Sequence, residues 1–167
     1  IVTHGSNNYG PYQFPEKLIP FVIFRALAGE PVPIYGDGRY VRDWVFVDDH
    51  VTALDTILRQ GELGATYGIG ADNERENLEV VRGILDILGK PHALMTHVAD
   101  RPGHDRRYAI DATRMKQLGW TPQYPRARFA EGLERTVRWY MDNRAWVERL
   151  RARSAEMNAH ITTPVKV

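Results

Sequence analysis

The sequence has no cysteine, no long apolar run and no excess of charge of either sign. Without cysteine, disulfides and thiolate metal sites are excluded, and no stretch reaches the roughly 20 apolar residues that span a bilayer. The 22 basic and 21 acidic residues nearly cancel to a net charge of +1, which provides no electrostatic surface for nucleic acid or an anionic membrane. We therefore expect a cytoplasmic protein that binds neither nucleic acid nor membranes.

Several motifs of catalytic and cofactor sites are also missing. The sequence contains no Walker loop, no Tyr-x-x-x-Lys, no G-x-S-x-G elbow and no H-E-x-x-H helix. The Gly36-Asp37-Gly38 segment precedes a strand and is interpreted as a turn, whereas Gly68-Ile69-Gly70 would place the third glycine of a dinucleotide loop at Asn73. The acids of Asp48-Asp49-His50 are interpreted as a helix cap and not as metal ligands. We expect no catalytic residue and no metal site in this chain.

What is present is typical of one folded domain. The chain has 167 residues, of which 43% are hydrophobic and 26% charged, enough for an ordinary core. The hydrophobic pattern predicts strands and helices. The predicted strands are residues 1–3, 33–35, 41–47, 65–69, 94–98 and 107–110. The predicted helices are residues 16–28, about 49–59, 77–89, 113–118, 128–142 and 144–156.

Strands and helices alternate along the chain, which predicts the α/β class. Residues 4–15 are predicted as a loop because they are rich in glycine and proline. Residues 1–3 and 44–47 have the composition of strands buried on both faces. Because the strands are few and short, and the first residue is Ile1 and not methionine, we expect a preceding part of a longer protein to complete the sheet.

Two polar segments are candidates for a ligand site. Residues 6–18 follow a predicted strand, where ligands of α/β proteins bind, and their two adjacent asparagines suit sugar hydroxyls and a carboxamide. Residues 100–108 gather three arginines and a histidine around a Pro-Gly turn, and guanidinium groups match phosphates. A turn rich in asparagine and glycine explains the first segment as well, and a solvated loop with local ion pairs explains the second.

Arg42 is the third candidate, because it lies in a predicted strand of largely apolar residues. A cation in that position requires a partner. Asp43, Asp49 and a ligand phosphate are equally compatible with the sequence.

These segments together resemble the dTDP-glucose 4,6-dehydratase family. The most specific likeness is in residues 6–20, S-N-N-Y-G-P-Y-Q-F-P-E-K-L-I-P, and in R-P-G-H-D-R-R-Y at 101–108. The P-I-Y-G-D-G turn at 33–38 and V-R-D-W at 41–44 are shared more widely among nucleotide-sugar short-chain enzymes. The likeness covers about residues 2–145. It departs at His4-Gly5, where the family usually has Arg-Cys, and we expect Gly5 to loosen the strand end.

The resemblance implies roles for individual residues around the sugar and the cofactor. Asn7 would contact the hexose, and Lys17 and Leu18 would lie on the substrate. Asn8 would contact the nicotinamide of bound NAD.

The resemblance also implies a site for the nucleotide. The thymine would be held by Pro33, Ile34 and Tyr35. The diphosphate would be bound by Arg42 and Asn77. The loop that closes over the nucleotide would consist of Asp100, Arg101, Pro102, Gly103 and His104.

The fold implied is the C-terminal part of an extended short-chain dehydrogenase/reductase, with the last strands and helices of a Rossmann-like sheet and a small α/β substrate-binding domain. Residues 1–15 and about 41–60 would contribute to the NAD-binding sheet, whose N-terminal part would precede this chain. The full-length enzyme would be a homodimeric, NAD-dependent lyase that converts dTDP-glucose to its 4-keto-6-deoxy product in a deoxysugar pathway such as that of rhamnose.

Two other interpretations remain. One is a neighbouring nucleotide-sugar enzyme, such as a UDP-glucuronate decarboxylase or a 4-epimerase, against which P-E-K at 15–17 and H-D-R-R-Y at 104–108 argue. The other is a non-catalytic module that binds a sugar nucleotide.

Overall fold

The computed structural model describes residues 1–100, 103 and 105–150 of the chain. Its strands are β1 Val2–Gly5, β2 Asn7–Tyr9, β3 Val32–Tyr35, β4 Val41–Phe46, β5 Thr66–Ile69, β6 Glu74–Glu76, β7 Met95–Val98 and β8 Arg107–Tyr108. Its helices are α1 Leu18–Ala28, α2 Val47–Gln60, α3 Asn77–Ile87, α4 Thr113–Gln117 and α5 Phe129–Asp142. Residues 144–150 are also helical. The strands alternate with helices, so the predicted α/β class is confirmed.

The strands form three small groups, and β4 is the central strand of the largest one. This strand pairs in parallel with β2 and β8 and antiparallel with β6. Strand β1 pairs in parallel with β5, and β3 pairs in parallel with β7. Residues of β2, β3 and β4 and of the beginning of α1 line one cavity.

The larger hydrophobic core lies between α1, α3 and α5 and the strands β3 and β4. Helix α1 is apolar around most of its circumference, and Ile19, Val22 and Ile23 are almost completely buried. Pro20 is tolerated because it lies in the first turn, where backbone N–H groups have no partner within the helix. The helix ends at Gly29, as predicted, which adopts the left-handed conformation with φ 71°. A smaller cluster joins α2, α4 and β5.

The first 15 residues differ from the prediction. Residues 7–9 were expected in a loop but form β2, because β4 offers them a parallel hydrogen-bonding edge. Residues 1–3 were expected to be buried on both faces once neighbouring strands of a longer protein cover them. Val2 is 53% exposed in the described chain, so that burial stays a prediction. Gly5 does not loosen the strand end. It pairs with Ile69 within β1 and β5, and the imidazole of His50 occupies the space that a Cβ would fill.

Three further boundaries were decided by tertiary contacts. The cap predicted at Asp48 or Asp49 is wrong, because α2 begins at Val47 after Phe46 and no side chain caps it. Strand β6 was not predicted, since its sequence E-R-E has no apolar alternation. The strand predicted at 107–110 is shorter and includes only Arg107 and Tyr108. Among the described helices, none has the length and apolar character needed to cross a membrane.

Candidate functional site

A cavity of about 750 Å³ lies where β2, β3, β4 and the first turns of α1 and α3 meet. It brings together most of the residues proposed from the sequence, although they come from distant parts of the chain. Those that line it are Asn7, Lys17, Leu18, Pro33, Tyr35, Arg42, Asn77 and Gly103. The sequence interpretation gave no individual role to the other lining residues, which are Glu16, Phe21, Trp44, Asp105 and Tyr108. Glu16, Asp105 and Tyr108 do lie within its two candidate segments.

Arg42 is the buried cation of this cavity, with 6% of its surface exposed. Its NH1 donates to the carbonyl of Val41 at 2.7 Å and its NH2 donates to the carbonyl of Asp105 at 2.9 Å. The guanidinium carbon lies 4.2 Å from the centre of the Tyr108 ring. No ion pair of Arg42 is found among the residues that the structure describes. A buried cation that contacts only carbonyls and a ring is suited to an incoming anion.

The two aspartates that were candidate partners of Arg42 have other roles. Asp43 follows Arg42 in β4 and therefore points to the opposite face of the strand. There it accepts hydrogen bonds from the Ser6 hydroxyl at 2.6 Å and from the backbone N–H groups of Ala71 and Asn73. Asp49 accepts hydrogen bonds from the backbone N–H groups of Gln123 and Tyr124, in the segment that leads to α5. Neither acid therefore pairs with Arg42, and its contact with a ligand phosphate stays a prediction.

Asn7 and Asn8 lie on opposite sides of β2. Asn7, which pairs in register with Trp44, lines the cavity. Asn8 faces away from it. Its Nδ2 donates to the Ser6 carbonyl at 3.2 Å, and its main-chain carbonyl accepts from Nε2 of Gln13 at 2.8 Å. Since successive side chains of a strand alternate, only the Asn7 amide reaches the cavity, and a contact of Asn8 with a cofactor stays a prediction.

Lys17 provides a second cation at the rim. It is the residue before α1, and its ammonium lies 3.3 Å from the carboxylate of Glu16, with both side chains more than half exposed. An exposed pair of this kind contributes little to stability, so the ammonium can exchange this partner for a ligand oxygen. Leu18 and Phe21, one turn apart on α1, add an apolar wall beside it.

Two buried polar atoms of lining residues have no hydrogen-bond partner among the described residues. They are Nε1 of Trp44 and Oδ1 of Asn77. Trp44 is only 3% exposed, and Asn77 begins α3, where its own N–H donates to the Tyr40 carbonyl at 2.9 Å. Because an unpaired buried donor or acceptor costs about 1–3 kcal/mol, such atoms mark a surface that is completed by a ligand or by water.

Strand β3 shows why Pro33 and Tyr35 line the cavity and Ile34 does not. Its residues alternate between buried and half-buried, so Val32 and Ile34 point into the core while Pro33 and Tyr35 face the site. The Ile34 side chain is 4% exposed and packs in the larger hydrophobic cluster. The contact of Ile34 with the thymine remains a prediction. Because its side chain is turned into the core, only its backbone atoms are available for such a contact.

The nucleotide-closing loop is described only in part. Asp100 receives a hydrogen bond from the Tyr40 hydroxyl and packs beside Gly36 in the turn after β3. It does not line the cavity, whereas Gly103 does. Arg101, Pro102 and His104 lie outside the described residues.

Two sequence features that resembled cofactor or metal sites do not form them. A Cβ at Gly70 would lie 2.6 Å from the Asp43 carboxylate, and Gly68 packs against the Asp111 carbonyl, so these glycines allow close packing and leave no space for phosphate. His50 packs on Gly5, and burial lowers its pKa. Within residues 1–100, 103 and 105–150, no group of three potential metal ligands is found.

A second depression of about 470 Å³ lies on α5. Its arginines are already paired, Arg135 with Asp48 at 3.2 Å and Arg138 with Glu134 at 2.6 Å. It therefore lacks the unneutralised cation that distinguishes the cavity around Arg42.

The sequence contains patterns that indicate some of the lining residues to which no role was given. Trp44 and Tyr108 lie within the quoted motifs, and Phe21 follows Leu18 by three residues, which places both on one helix face. Asp105 contributes its backbone carbonyl to Arg42, and no side-chain pattern reports a backbone contact.

A protein-family model described as GDP-mannose 4,6 dehydratase matches residues 1–136. The dTDP-glucose 4,6-dehydratase of Xanthomonas campestris pv. campestris is 53% identical over 158 residues, which cover 89% of this chain and 44% of that protein. The crystal structure of the Bacillus anthracis dTDP-glucose 4,6-dehydratase in complex with NAD matches with a TM-score of 0.83 and 49% identity, over 89% of this chain and 46% of that one. The Streptomyces venezuelae dTDP-glucose 4,6-dehydratase with NAD bound gives a TM-score of 0.84 and 47% identity, over 89% and 45%. The chain therefore spans less than half the length of these relatives.

Proposed function

The chain belongs to the GDP-mannose 4,6 dehydratase family, and on that premise we propose that it is the substrate-binding half of a dTDP-glucose 4,6-dehydratase. The observation that carries the proposal is Arg42, a buried guanidinium on the cavity wall without a carboxylate partner among the described residues. A diphosphate is the anion that this group fits, because several oxygens can accept from one planar fork.

The remaining lining residues are consistent with the other parts of a nucleotide sugar. Pro33, Tyr35 and Phe21 provide an apolar and partly aromatic wall for a base. Asn7 and Lys17 provide donors for hydroxyl groups of a hexose. Asp100 and the loop that follows it are proposed to close over the nucleotide.

NAD is the proposed cofactor, and Asn8 fits a contact with it. The Asn8 Nδ2 is occupied by the Ser6 carbonyl, while its Oδ1 has no partner among the described side chains and can accept from a carboxamide N–H. When bound, NAD supplies the hydride acceptor and donor of the implied internal redox cycle, in which C4 is oxidised, water leaves across C5 and C6, and hydride returns to C6. We propose that residues of this chain contribute no acid or base to that cycle.

The role proposed for this chain is therefore positioning. Binding energy from the base and the diphosphate, which do not react, holds the hexose in the orientation that the chemistry requires. Residues 1–15 and about 41–60 are proposed to extend an NAD-binding sheet whose earlier strands lie in a preceding segment. The full-length protein is proposed to be a cytoplasmic homodimer that serves deoxysugar synthesis, for example of rhamnose.

Nucleotide selectivity tests the substrate assignment. Calorimetric titration of the full-length gene product should show tighter binding of dTDP than of UDP or GDP, because the apolar wall of Pro33 and Tyr35 favours a methylated base. Equal or reversed affinities would contradict the dTDP assignment and favour a neighbouring nucleotide-sugar enzyme.

A further inference from the structure

The guanidinium of Arg42 is held in place on two sides. The carbonyls of Val41 and Asp105 accept from NH1 and NH2, which uses two of the five N–H groups of an arginine and leaves three. The Tyr108 ring covers one face of the group, at 4.2 Å from its centre to the guanidinium carbon. The orientation of the remaining donors is thus determined by the segment that contains Asp105 and Tyr108.

Strand pairing places the Tyr108 ring over Arg42. Strand β8 lies parallel to β4 with Arg42 and Tyr108 in register, so the two side chains leave the sheet on the same face. Tyr108 also lines the cavity and is 43% exposed. A ring at this distance stabilises the cation and limits its rotation, and a buried arginine would otherwise change rotamer to find acceptors.

The position of β8 does not depend on the Tyr108 ring. Arg106 forms two hydrogen bonds of 2.8 Å with Asp37, and Arg107 forms two of 2.6 and 2.7 Å with Glu74. The Val41 N–H donates to the Arg106 carbonyl at 2.9 Å. Backbone pairing with β4 holds the strand without the ring, and the two exposed ion pairs add to it. We therefore expect a change of the Tyr108 side chain to leave the Asp105 carbonyl in place.

The two ion pairs that anchor β8 persist at neutral pH. The hydrogen bonds from Arg106, together with the Arg39 N–H, hold the pKa of Asp37 well below its usual range, and those from Arg107 lower the pKa of Glu74. A carboxylate with a lowered pKa contributes its stabilisation above the unfolded pKa of about 4 and loses it only as the pH falls through the lower folded value. Binding measurements near pH 7 therefore report on Tyr108 with the strand in place.

We propose that Tyr108 is a positioning residue, which aims the three remaining N–H groups of Arg42 at the phosphate groups of the ligand. This inference rests on the proposed function, since it assigns Tyr108 a part in the binding of a nucleoside diphosphate. It assigns the role to the face of the ring and not to the hydroxyl. Tyr108 acts through Arg42 and makes no essential contact of its own.

The test is a double-mutant cycle on dTDP binding, measured by calorimetry with the full-length gene product near pH 7. Tyr108→Leu should weaken dTDP binding by about fivefold, while Tyr108→Phe, which keeps the ring, should bind within about twofold of the unchanged protein. In a protein that already carries Arg42→Ala, Tyr108→Leu should have no further effect, because its only target is gone. The control is Leu63→Ala, which shortens an apolar side chain that is 89% exposed and does not line the cavity, and it should leave dTDP binding unchanged.

The outcomes separate this inference from the proposed function. If the unchanged protein does not bind dTDP, both the proposed function and the inference on Tyr108 are contradicted. If it binds dTDP and Arg42→Ala weakens binding, the inference alone is overturned in three cases. In the first, Tyr108→Leu binds dTDP as tightly as the unchanged protein does. In the second, Tyr108→Leu weakens binding further in the Arg42→Ala protein, as a general structural effect would. In the third, Tyr108→Phe loses as much affinity as Tyr108→Leu, which would assign the role to the hydroxyl.

Discussion

At the scale of single residues, Arg42 and Asp43 are neighbours in β4 but point to opposite faces of the strand, because successive side chains of a strand alternate. Arg42 faces the cavity with two carbonyl acceptors, and Asp43 faces the interior of the fold with three donors. The sequence places these charges side by side and suggests an ion pair. The strand geometry assigns one to a ligand and the other to structure, since successive side chains point in opposite directions.

Arg42→Ala should therefore weaken nucleotide binding by about 2–4 kcal/mol, because a charge-assisted contact to phosphate is lost and the diphosphate remains underpaired. Arg42→Lys should lose part of this amount, since it keeps the charge and loses the planar fork. Titration of the full-length gene product with dTDP measures both. The matched control is Arg59→Ala, which removes an exposed arginine paired with Asp55. A loss below about 0.5 kcal/mol for Arg42→Ala would show that the residue has only a structural role.

At the scale of elements, one buried acid joins α2 to the segment that leads into α5. Asp49 is 3% exposed and accepts from the backbone N–H groups of Gln123 at 2.7 Å and Tyr124 at 2.9 Å. Its neighbour Asp48 points outward and forms a half-exposed ion pair with Arg135 at 3.2 Å. The two acids share the same helix end, so their difference lies in the tertiary contacts of Asp49.

Asp49→Ala should lower the free energy of unfolding by about 2–4 kcal/mol, because two backbone donors lose their acceptor in the interior. The adjacent Asp48→Ala is the control and should cost less than about 1 kcal/mol, as expected for an exposed ion pair. Urea unfolding of the full-length gene product provides both values. Equal costs for the two substitutions would mean that the charge at the start of α2 matters and the link to residues 123–124 does not.

At the scale of the whole molecule, one side of the chain is apolar and exposed. Val51, Leu54 and Leu58 form a stripe at helical spacing on α2, and Ile1 and the first residue of β1, Val2, are exposed as well. Ile1 contacts the position of Gly61 at the end of α2, so the two exposed regions are adjacent. An apolar surface of this kind next to a strand edge favours association with another strand or chain.

Residues 1–167 made alone should therefore associate in solution, should lack a cooperative urea transition of a monomer, and should not convert dTDP-glucose. Leu58→Glu should reduce the association seen by light scattering, because it interrupts the apolar stripe. Gln60→Glu adds the same charge at an exposed polar position and should have little effect. A soluble monomer with a cooperative transition would refute the stability claim, and turnover would refute the assignment of roles.

The same light-scattering measurement on the full-length gene product tests the proposed homodimer, which a monomer at micromolar concentration would contradict.

The sequence by itself determined the α/β class, the major helices and the residue types of the site. Helix α1 and its end at Gly29, the helix from Asn77 and the strand at 41–46 follow from apolar spacing and from glycine and proline, which act over a few residues. The motifs at 6–20 and 101–108 contained most of the residues that line the cavity, because each motif keeps its ligand-facing residues close together in sequence.

Only the tertiary structure decided what depends on pairing across the chain. Residues 7–9 became a strand because β4 offered an edge, Asp49 bonds to residues 123–124 and does not cap α2, and Ile34 turned into the core while Pro33 and Tyr35 turned to the cavity. Arg42 acquired a backbone acceptor at Asp105 and a ring at Tyr108, both more than 60 residues away. Local pattern cannot report these contacts, because they arise from hydrogen bonds and packing between segments that the sequence separates and the fold brings together.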